Sequence, residues 1–178
     1  GVVAPSMPVK PEEKEALVAY LEEAGYKVRL GRTVDELLSF HGFMAGDGNV
    51  RAKEINSMFA DPEVDGIICA RGGYGSCHTM EYLDLDMIRA HPKVFIGFSD
   101  ATHFHSIFNK FCNFVTFHGP MIISNMLKGF DDYSRSSLNR ALDLCGTESA
   151  YDFYNPEEDP MYMLHPGQAA GIITGGNL

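Results

Sequence analysis

The segment Pro92-Lys93-Val94-Phe95-Ile96-Gly97-Phe98-Ser99-Asp100-Ala101-Thr102-His103-Phe104 passes from a continuous apolar run to a helical pattern. Val94-Phe95-Ile96 reads as a strand buried on both faces. Ala101, Phe104, Ile107, Phe108 and Phe111 recur at helical spacing, so a helix follows at once. Between them lies only the turn Gly97–Asp100. A sharp strand-turn-helix with a serine in the turn is the setting of a nucleophile elbow, which lifts the hydroxyl above the sheet edge. The next residue, Asp100, would open the helix, where its backbone N–H can face a developing oxyanion. The usual elbow pattern is G-x-S-x-G, and Ala101 stands where the second glycine would be. Taken alone, the turn supports two accounts: Ser99 is a nucleophile, or Ser99 or Asp100 caps the helix.

The same alternation extends outward on both sides. Upstream, the apolar Gly1–Ala4 stops at Pro5-Ser6-Met7-Pro8. Pro11, Glu12 and Glu13 open a helix with Ala16, Leu17, Tyr20, Leu21 and Ala24 on one face, ended by Gly25. Tyr26, Val28 and Leu30 alternate as in a strand. Asn49–Ala60 predicts a helix with Val50, Ile55, Met58 and Phe59 inward, broken by Asp61-Pro62. Gly66–Ala70 predicts a buried strand, followed by the glycine-rich turn Arg71–Ser76 and a helix through Met80, Tyr82 and Leu83. Downstream, Val115–Phe117 predicts a strand ended by His118-Gly119-Pro120, and Asp132–Leu144 a helix with Leu138, Ala141 and Leu142 on one side. Such alternation implies an α/β fold, a mainly parallel sheet flanked by helices. Residues 1–145 are expected to form the α/β domain that bears the elbow. Residues 146–167, with Pro156, Pro160 and Pro166, read as a linker. Residues 168–178, with a strand at Ala169–Ile173, read as the beginning of an incomplete, truncated C-terminal domain.

A length of 178 residues, 45% hydrophobic and 21% charged, suits a globular domain with a real core. No apolar run is long enough for a membrane helix, and no signal peptide is visible. The chain opens on glycine rather than methionine, which is compatible with a processed N-terminus. A net charge of −10 argues against nucleic acid or an anionic membrane as partner. Cys69, Cys77, Cys112 and Cys145 form no C-x-x-C pair and no zinc-site spacing, so they read as buried or half-buried thiols. Nothing in them requires an oxidising compartment, and the expected location is cytoplasmic.

Active sites of open parallel sheets lie at the carboxyl ends of the strands. Pro5–Pro8, Arg71–Ser76 and Gly97–Asp100 all occupy such ends, with His118 after a fourth strand. The glycines of Arg71–Ser76 let backbone N–H groups approach a phosphate, or supply a second oxyanion donor, or make only a tight connection. The turn is neither a P-loop nor G-x-G-x-x-G. A serine nucleophile needs a base, and the local candidates are His103, His105 and His118. His103 and His105 lie about 100° either side of the helix's apolar stripe, and His118 is better placed. None has an acidic orienter at readable spacing, so a triad is incomplete within the chain.

Ala70-Arg71-Gly72-Gly73-Tyr74-Gly75-Ser76, Pro92–Thr102 and Thr116-Phe117-His118-Gly119-Pro120-Met121 resemble the LD-carboxypeptidases, serine peptidase family S66. Val3-Ala4-Pro5-Ser6 and Gly175-Gly176-Asn177-Leu178 fit as well, so the resemblance covers essentially the whole chain. It implies that Ser99 is the nucleophile and that the N–H groups of Asp100 and Gly73 form the oxyanion hole. It implies a Ser-Glu-His triad without metal or cofactor, its Glu and His lying in a C-terminal domain beyond Leu178, and hence little activity in these 178 residues alone. The family removes the terminal D-Ala from murein tetrapeptide, a small peptide substrate, in cytoplasmic peptidoglycan recycling, often as a homodimer. A related branch inactivates the peptide-nucleotide antibiotic microcin C; the intact Arg71–Gly75 favours the carboxypeptidase branch. Arg71 is a candidate for the substrate's terminal carboxylate. Gly72, Tyr74, Ser6 and His118 are candidates to line the same crevice. The contrasting expectation is a phosphate- or nucleotide-binding α/β module without covalent chemistry.

Overall fold

The computed structural model describes residues 1–147, 162 and 164–176. Four short strands, β1 (Val2–Val3), β2 (Gly66–Cys69), β3 (Val94–Gly97) and β4 (Phe117–His118), form one parallel sheet in the order β1-β2-β3-β4. The register aligns Val3 with Cys69, Ile67 with Phe95, and Gly97 with His118. The helices are α1 (Pro11–Glu23), α2 (Arg32–Asp35), α3 (Gly48–Ala60), α4 (Leu85–Ala90), α5 (Thr102–Ile107) and α6 (Asp132–Asp143). A longer 3₁₀ helix spans Ser76–Tyr82, and short 3₁₀ turns occur at Ser99–Ala101 and Met126–Lys128.

The two-residue period of a strand puts Val3, Ile67, Cys69 and Phe95 on one face of the sheet. That face packs against Ile55, Met58 and Phe59 of α3, Ile88 of α4, and Phe104 and Phe108. Phe95 meets Phe108 edge-on at 5.2 Å and stacks with Phe59 at 6.3 Å. Val2 and Ile96, on the opposite face, are buried too, which is why these strands read as unbroken apolar runs. Local signals set the helix starts: Asp47 and Asp84 accept the Val50 and Met87 N–H groups and so cap α3 and α4.

Several expectations change. Tyr26–Leu30 is not a strand; only Leu30 bridges Val2, because α2 begins at Arg32 and ends the pairing. The helix after the elbow opens into a π segment over Phe108–Cys112. The wider turn rotates the following side chains, so Cys112 is 4% exposed and Phe111, expected in the core, is 48% exposed. The last strand starts at Phe117, because only Phe117 and His118 lie in register with β3, and Val115 is solvent-facing. The segment Ser76–Tyr82 is a 3₁₀ rather than an α-helix. Residues 169–173 form no strand, since no neighbour supplies them ladder hydrogen bonds among the described residues.

The chain divides into two units, one holding Gly1–Asp131 and the other Asp132–Ile173, with Thr174–Leu178 grouped with the first. In the second unit, α6 buries none of its residues. Most of the expected linker 146–167, and Asn177 and Leu178, lie outside the described residues. No helix among the described residues is long and apolar enough to cross a membrane.

Candidate active site

Ser99 sits where β3 ends and the helical segment begins, with φ of +59°. A left-handed backbone at a non-glycine residue is costly, on the order of 1 kcal/mol, and persists only where the surroundings impose it. They do so here. A Cβ added to Gly97 would lie 2.9 Å from Cys69 Sγ and 3.0 Å from the Ala101 methyl. The bare backbone of Gly97 therefore makes room for Ala101, which explains how the turn closes without the second glycine of the usual pattern.

The glycine-rich turn lies directly against Ser99. A Cβ on Gly72 would stand 3.1 Å from Ser99 Cβ and 3.3 Å from its Oγ. Gly73, at φ +141°, packs on Met7, where any Cβ would collide. The Gly72 carbonyl accepts from Met7 N at 3.4 Å. The Gly72–Gly73 peptide thus turns its N–H away from the Pro5–Pro8 loop. Three of the polar turns expected to converge do converge.

Asp100 joins them. Its side chain is 9% exposed. Oδ2 accepts from Ser6 Oγ at 2.6 Å and from Ser76 N at 2.8 Å. Ser76 Oγ donates to the Asp100 carbonyl at 2.6 Å. On the far side of the same loops lies Arg51 of α3, fully buried. Its Nη1 donates to the carbonyls of Pro5 and Gly75, the latter at 2.8 Å, and its Nε to Gly46 at 3.0 Å. Burial pulls the guanidinium below its ordinary pKa, while Asp100 is foremost among the charges that oppose this.

None of the three candidate histidines bonds to Ser99. His103 Nδ1 lies 2.8 Å from Ser76 Oγ and 3.0 Å from the Asp100 carbonyl, with Asp100 Oδ1 at 3.7 Å. Since the Ser76 hydroxyl donates to Asp100, these neighbours assign the proton of neutral His103 to Nδ1. His105 is buried beneath the turn, with Nε2 against the Gly97 carbonyl and Nδ1 against Thr116 Oγ1, both at 2.8 Å. Burial lowers its pKa, which keeps the ring neutral and makes it a strut. His118 is solvent-facing, beside the rings of Phe98 and His105.

Arg71 is paired with Glu13 of α1: Nη1 reaches both carboxylate oxygens, at 3.1 and 3.0 Å. Sequence reasoning took it as open to a carboxylate; the structure shows it already holding one. Tyr74 is exposed at the rim, between Phe43 and His78. Gly176 lies close to Thr102 and His118, so the described part of the Gly-Gly-Asn-Leu motif adjoins the elbow. Cys69 is buried, and burial raises its thiol pKa steeply. Cys145 is exposed rather than buried, since it follows α6, which buries nothing. Among the described residues no cluster of His, Cys, Asp and Glu has the makings of a metal site.

Residues 1–119 match the model of the LD-carboxypeptidase N-terminal domain, peptidase family S66. The chain belongs to the LD-carboxypeptidase family. It is 36% identical, over all its length, to a probable murein peptide carboxypeptidase of Bacillus subtilis, of which it covers 54%. Among solved structures it resembles a muramoyltetrapeptide carboxypeptidase from Oxalobacter formigenes, with 27% identity, TM-score 0.68, and coverage of 79% of this chain and 47% of that one. It also resembles the microcin C7 self-immunity protein MccF in complex with aspartyl sulfamoyl adenosine, with 26% identity, TM-score 0.74, and coverage of 88% and 47%. The chain spans about half the length of the curated relatives it matches.

In this chain of the LD-carboxypeptidase family, sequence reasoning missed Arg51 and Ser76. Arg51 carried a signal. It stands at i with Ile55, Met58 and Phe59 at i+4, i+7 and i+8, and so on the inward stripe of α3. A charge on that stripe must find buried acceptors. Ser76 carried none, because its partners lie 24 and 27 positions away in sequence.

Proposed function

We propose that this chain is the nucleophile-bearing half of a serine-type LD-carboxypeptidase that releases the terminal D-Ala of murein tetrapeptide. The observation that carries the reading is Ser99: a left-handed serine between a buried strand and a helix, with Gly72 packed on its hydroxyl. In this reading Ser99 Oγ attacks the carbonyl of the L,D-peptide bond. The oxyanion is received by the N–H groups of Asp100 and Gly73. The departing amine of D-Ala takes a proton from the general base, now acting as acid, and water completes the cycle. The base and its acidic orienter are supplied by residues beyond this chain, as the family resemblance implies, since neither His103 nor His105 hydrogen-bonds Ser99 and both are engaged elsewhere. The net charge of −10 is compatible with a cytoplasmic enzyme acting on a small peptide rather than on nucleic acid. Assembly as a homodimer belongs to the same proposal.

The engagement of Arg71 by Glu13 refines its role. Substrate carboxylate would have to compete with Glu13, so Arg71 acts either by exchanging partners or by fixing the turn. Changing Arg71 to Ala raises KM for tetrapeptide if the first holds and lowers kcat if the second does.

A second reading, hydrolysis of a peptide-nucleotide, is favoured by the likeness to MccF with its bound aspartyl sulfamoyl adenosine. Both are tested in one assay on the full-length protein carrying this chain. D-Ala release from murein tetrapeptide and cleavage of a peptidyl nucleotide are followed by mass spectrometry, with Ser99→Ala and the 178-residue chain beside it. D-Ala release that vanishes in both companions supports the carboxypeptidase. Cleavage of the nucleotide substrate alone supports the second reading. Activity retained by Ser99→Ala, or absence of Ser99 labelling by a serine-directed phosphonate, sinks the serine mechanism and favours a non-covalent binding module.

A further inference from the structure

We propose that Arg51 and Asp100 form an ion pair bridged by a peptide unit, and that this pair positions the loops around Ser99 for catalysis. The inference rests on the serine reading above and assigns roles to side chains that do not touch substrate.

The Gly75–Ser76 peptide is held at both ends. Its carbonyl accepts from Arg51 Nη1 at 2.8 Å, and its N–H donates to Asp100 Oδ2 at 2.8 Å. The Pro5–Ser6 segment is gripped in the same way. Arg51 Nη1 takes the Pro5 carbonyl, and Asp100 Oδ2 takes the Ser6 hydroxyl at 2.6 Å. A cation on one side and an anion on the other therefore both hold the same two loops. Both charges are buried, at 0% and 9% exposure. Each loses hydration and regains it through oriented peptide and hydroxyl dipoles, and charge-assisted hydrogen bonds of this kind are the strong ones. The bridge aligns the intervening peptide dipole, positive end toward Asp100 and negative end toward Arg51. The glycine-rich turn and the residue after Ser99 are thereby locked in one mutual placement. Donors aimed at a transition state act only if that placement is fixed to within about half an ångström. Arg51 and Asp100 are positioning residues in this scheme: they act through Gly75–Ser76 and Ser6.

The test uses the full-length protein with murein tetrapeptide, and kcat is normalised to sites titrated to completion by a serine-directed phosphonate. Variants are Asp100→Asn, Arg51→Lys, the double variant, and the milder Ser6→Ala. The expected result is a fall in kcat per titrated site of about 10- to 100-fold for Asp100→Asn and Arg51→Lys, with KM within about 2-fold because a uniform binding contact is untouched. The double variant should lose no more than the worse single variant, since either change breaks the same bridge. Ser6→Ala should lose about 3-fold or more and still fold. If kcat per titrated site is unchanged and only the titratable fraction or the thermal midpoint falls, the pair is merely structural and the proposal is overturned. Multiplicative losses in the double variant overturn it too. Ser99→Ala separates this failure from that of the serine reading, because it must abolish both turnover and labelling whatever Arg51 and Asp100 do.

Discussion

At the scale of the residue, the two successive glycines Gly72 and Gly73 separate two physical jobs, the first packed on Ser99 and the second on Met7. Gly72 provides close approach: its backbone is not left-handed, yet a methyl there would press on the Ser99 side chain at 3.1 to 3.3 Å. Gly73 provides both approach and a left-handed φ of +141°. Gly72→Ala is therefore expected to lower kcat by about 10-fold or more, since small misplacement of a reacting group is costly, with little change in unfolding midpoint. Gly73→Ala is expected to lower activity and also to destabilise by about 1–3 kcal/mol from backbone strain. Paired kinetic and thermal-unfolding measurements check both; equal destabilisation by the two substitutions would contradict the assignment. The Ser99 motif was legible in sequence as a strand-turn-helix. That Gly97 alone frees the space, and that Asp100 is tied to Ser6 and Ser76, was not legible, because the partners are distant in the chain.

At the scale of the element, the segment after the elbow is not one regular helix but a 3₁₀ turn, α5 and a π segment in succession. Helical periodicity locates Phe104 and Phe108 correctly, both fully buried. It fails at Phe111, because the π turn changes the phase after Phe108 and hands the inward position to Cys112. Phe108→Ala is thus expected to cost about 3–5 kcal/mol in equilibrium unfolding, the usual penalty for emptying a core phenylalanine. Phe111→Ala should stay within about 0.5 kcal/mol, as for a surface position. A regular helix would make the two substitutions similarly severe. Short strands show the same limit of local pattern. The apolar runs at β2 and β3 are readable because both faces are buried, whereas Tyr26–Leu30 alternates like a strand and pairs only at Leu30.

At the scale of the whole molecule, Glu54 couples elements that local sequence does not connect. Its carboxylate accepts from Thr33 N at 2.6 Å and Thr33 Oγ1 at 2.8 Å, linking α3 to α2, while Thr33 Oγ1 accepts from Ala4 N at 3.3 Å just after β1. Burial pushes its pKa from 4.5 up to about 7, against the hydrogen bonds that favour its charge. In this window the folded protein binds more protons at Glu54 than the unfolded chain does. Its contribution to stability is therefore full below about 4.5 and declines as pH rises to about 7. The decline is on the order of 3 kcal/mol at most. Glu54→Gln, which mimics the protonated side chain, should flatten that component. Urea unfolding at several pH values between 4.5 and 8 checks it through the difference between parent and variant, and parallel pH profiles would refute it.

Sequence by itself determined the parallel α/β class, the buried strands β2 and β3, the helices α1 and α3, and the serine turn at a strand's carboxyl end. Each of these rests on interactions between near neighbours or on burial of both faces, which leave a periodic or continuous apolar trace. Tertiary structure alone decided which histidines are struts, that Arg71 is held by Glu13, and that Arg51 and Asp100 face each other across one peptide. Those facts depend on contacts between residues far apart in the chain. Buried polar groups seek whichever acceptors the fold brings within about 3 Å, and no local pattern records that choice.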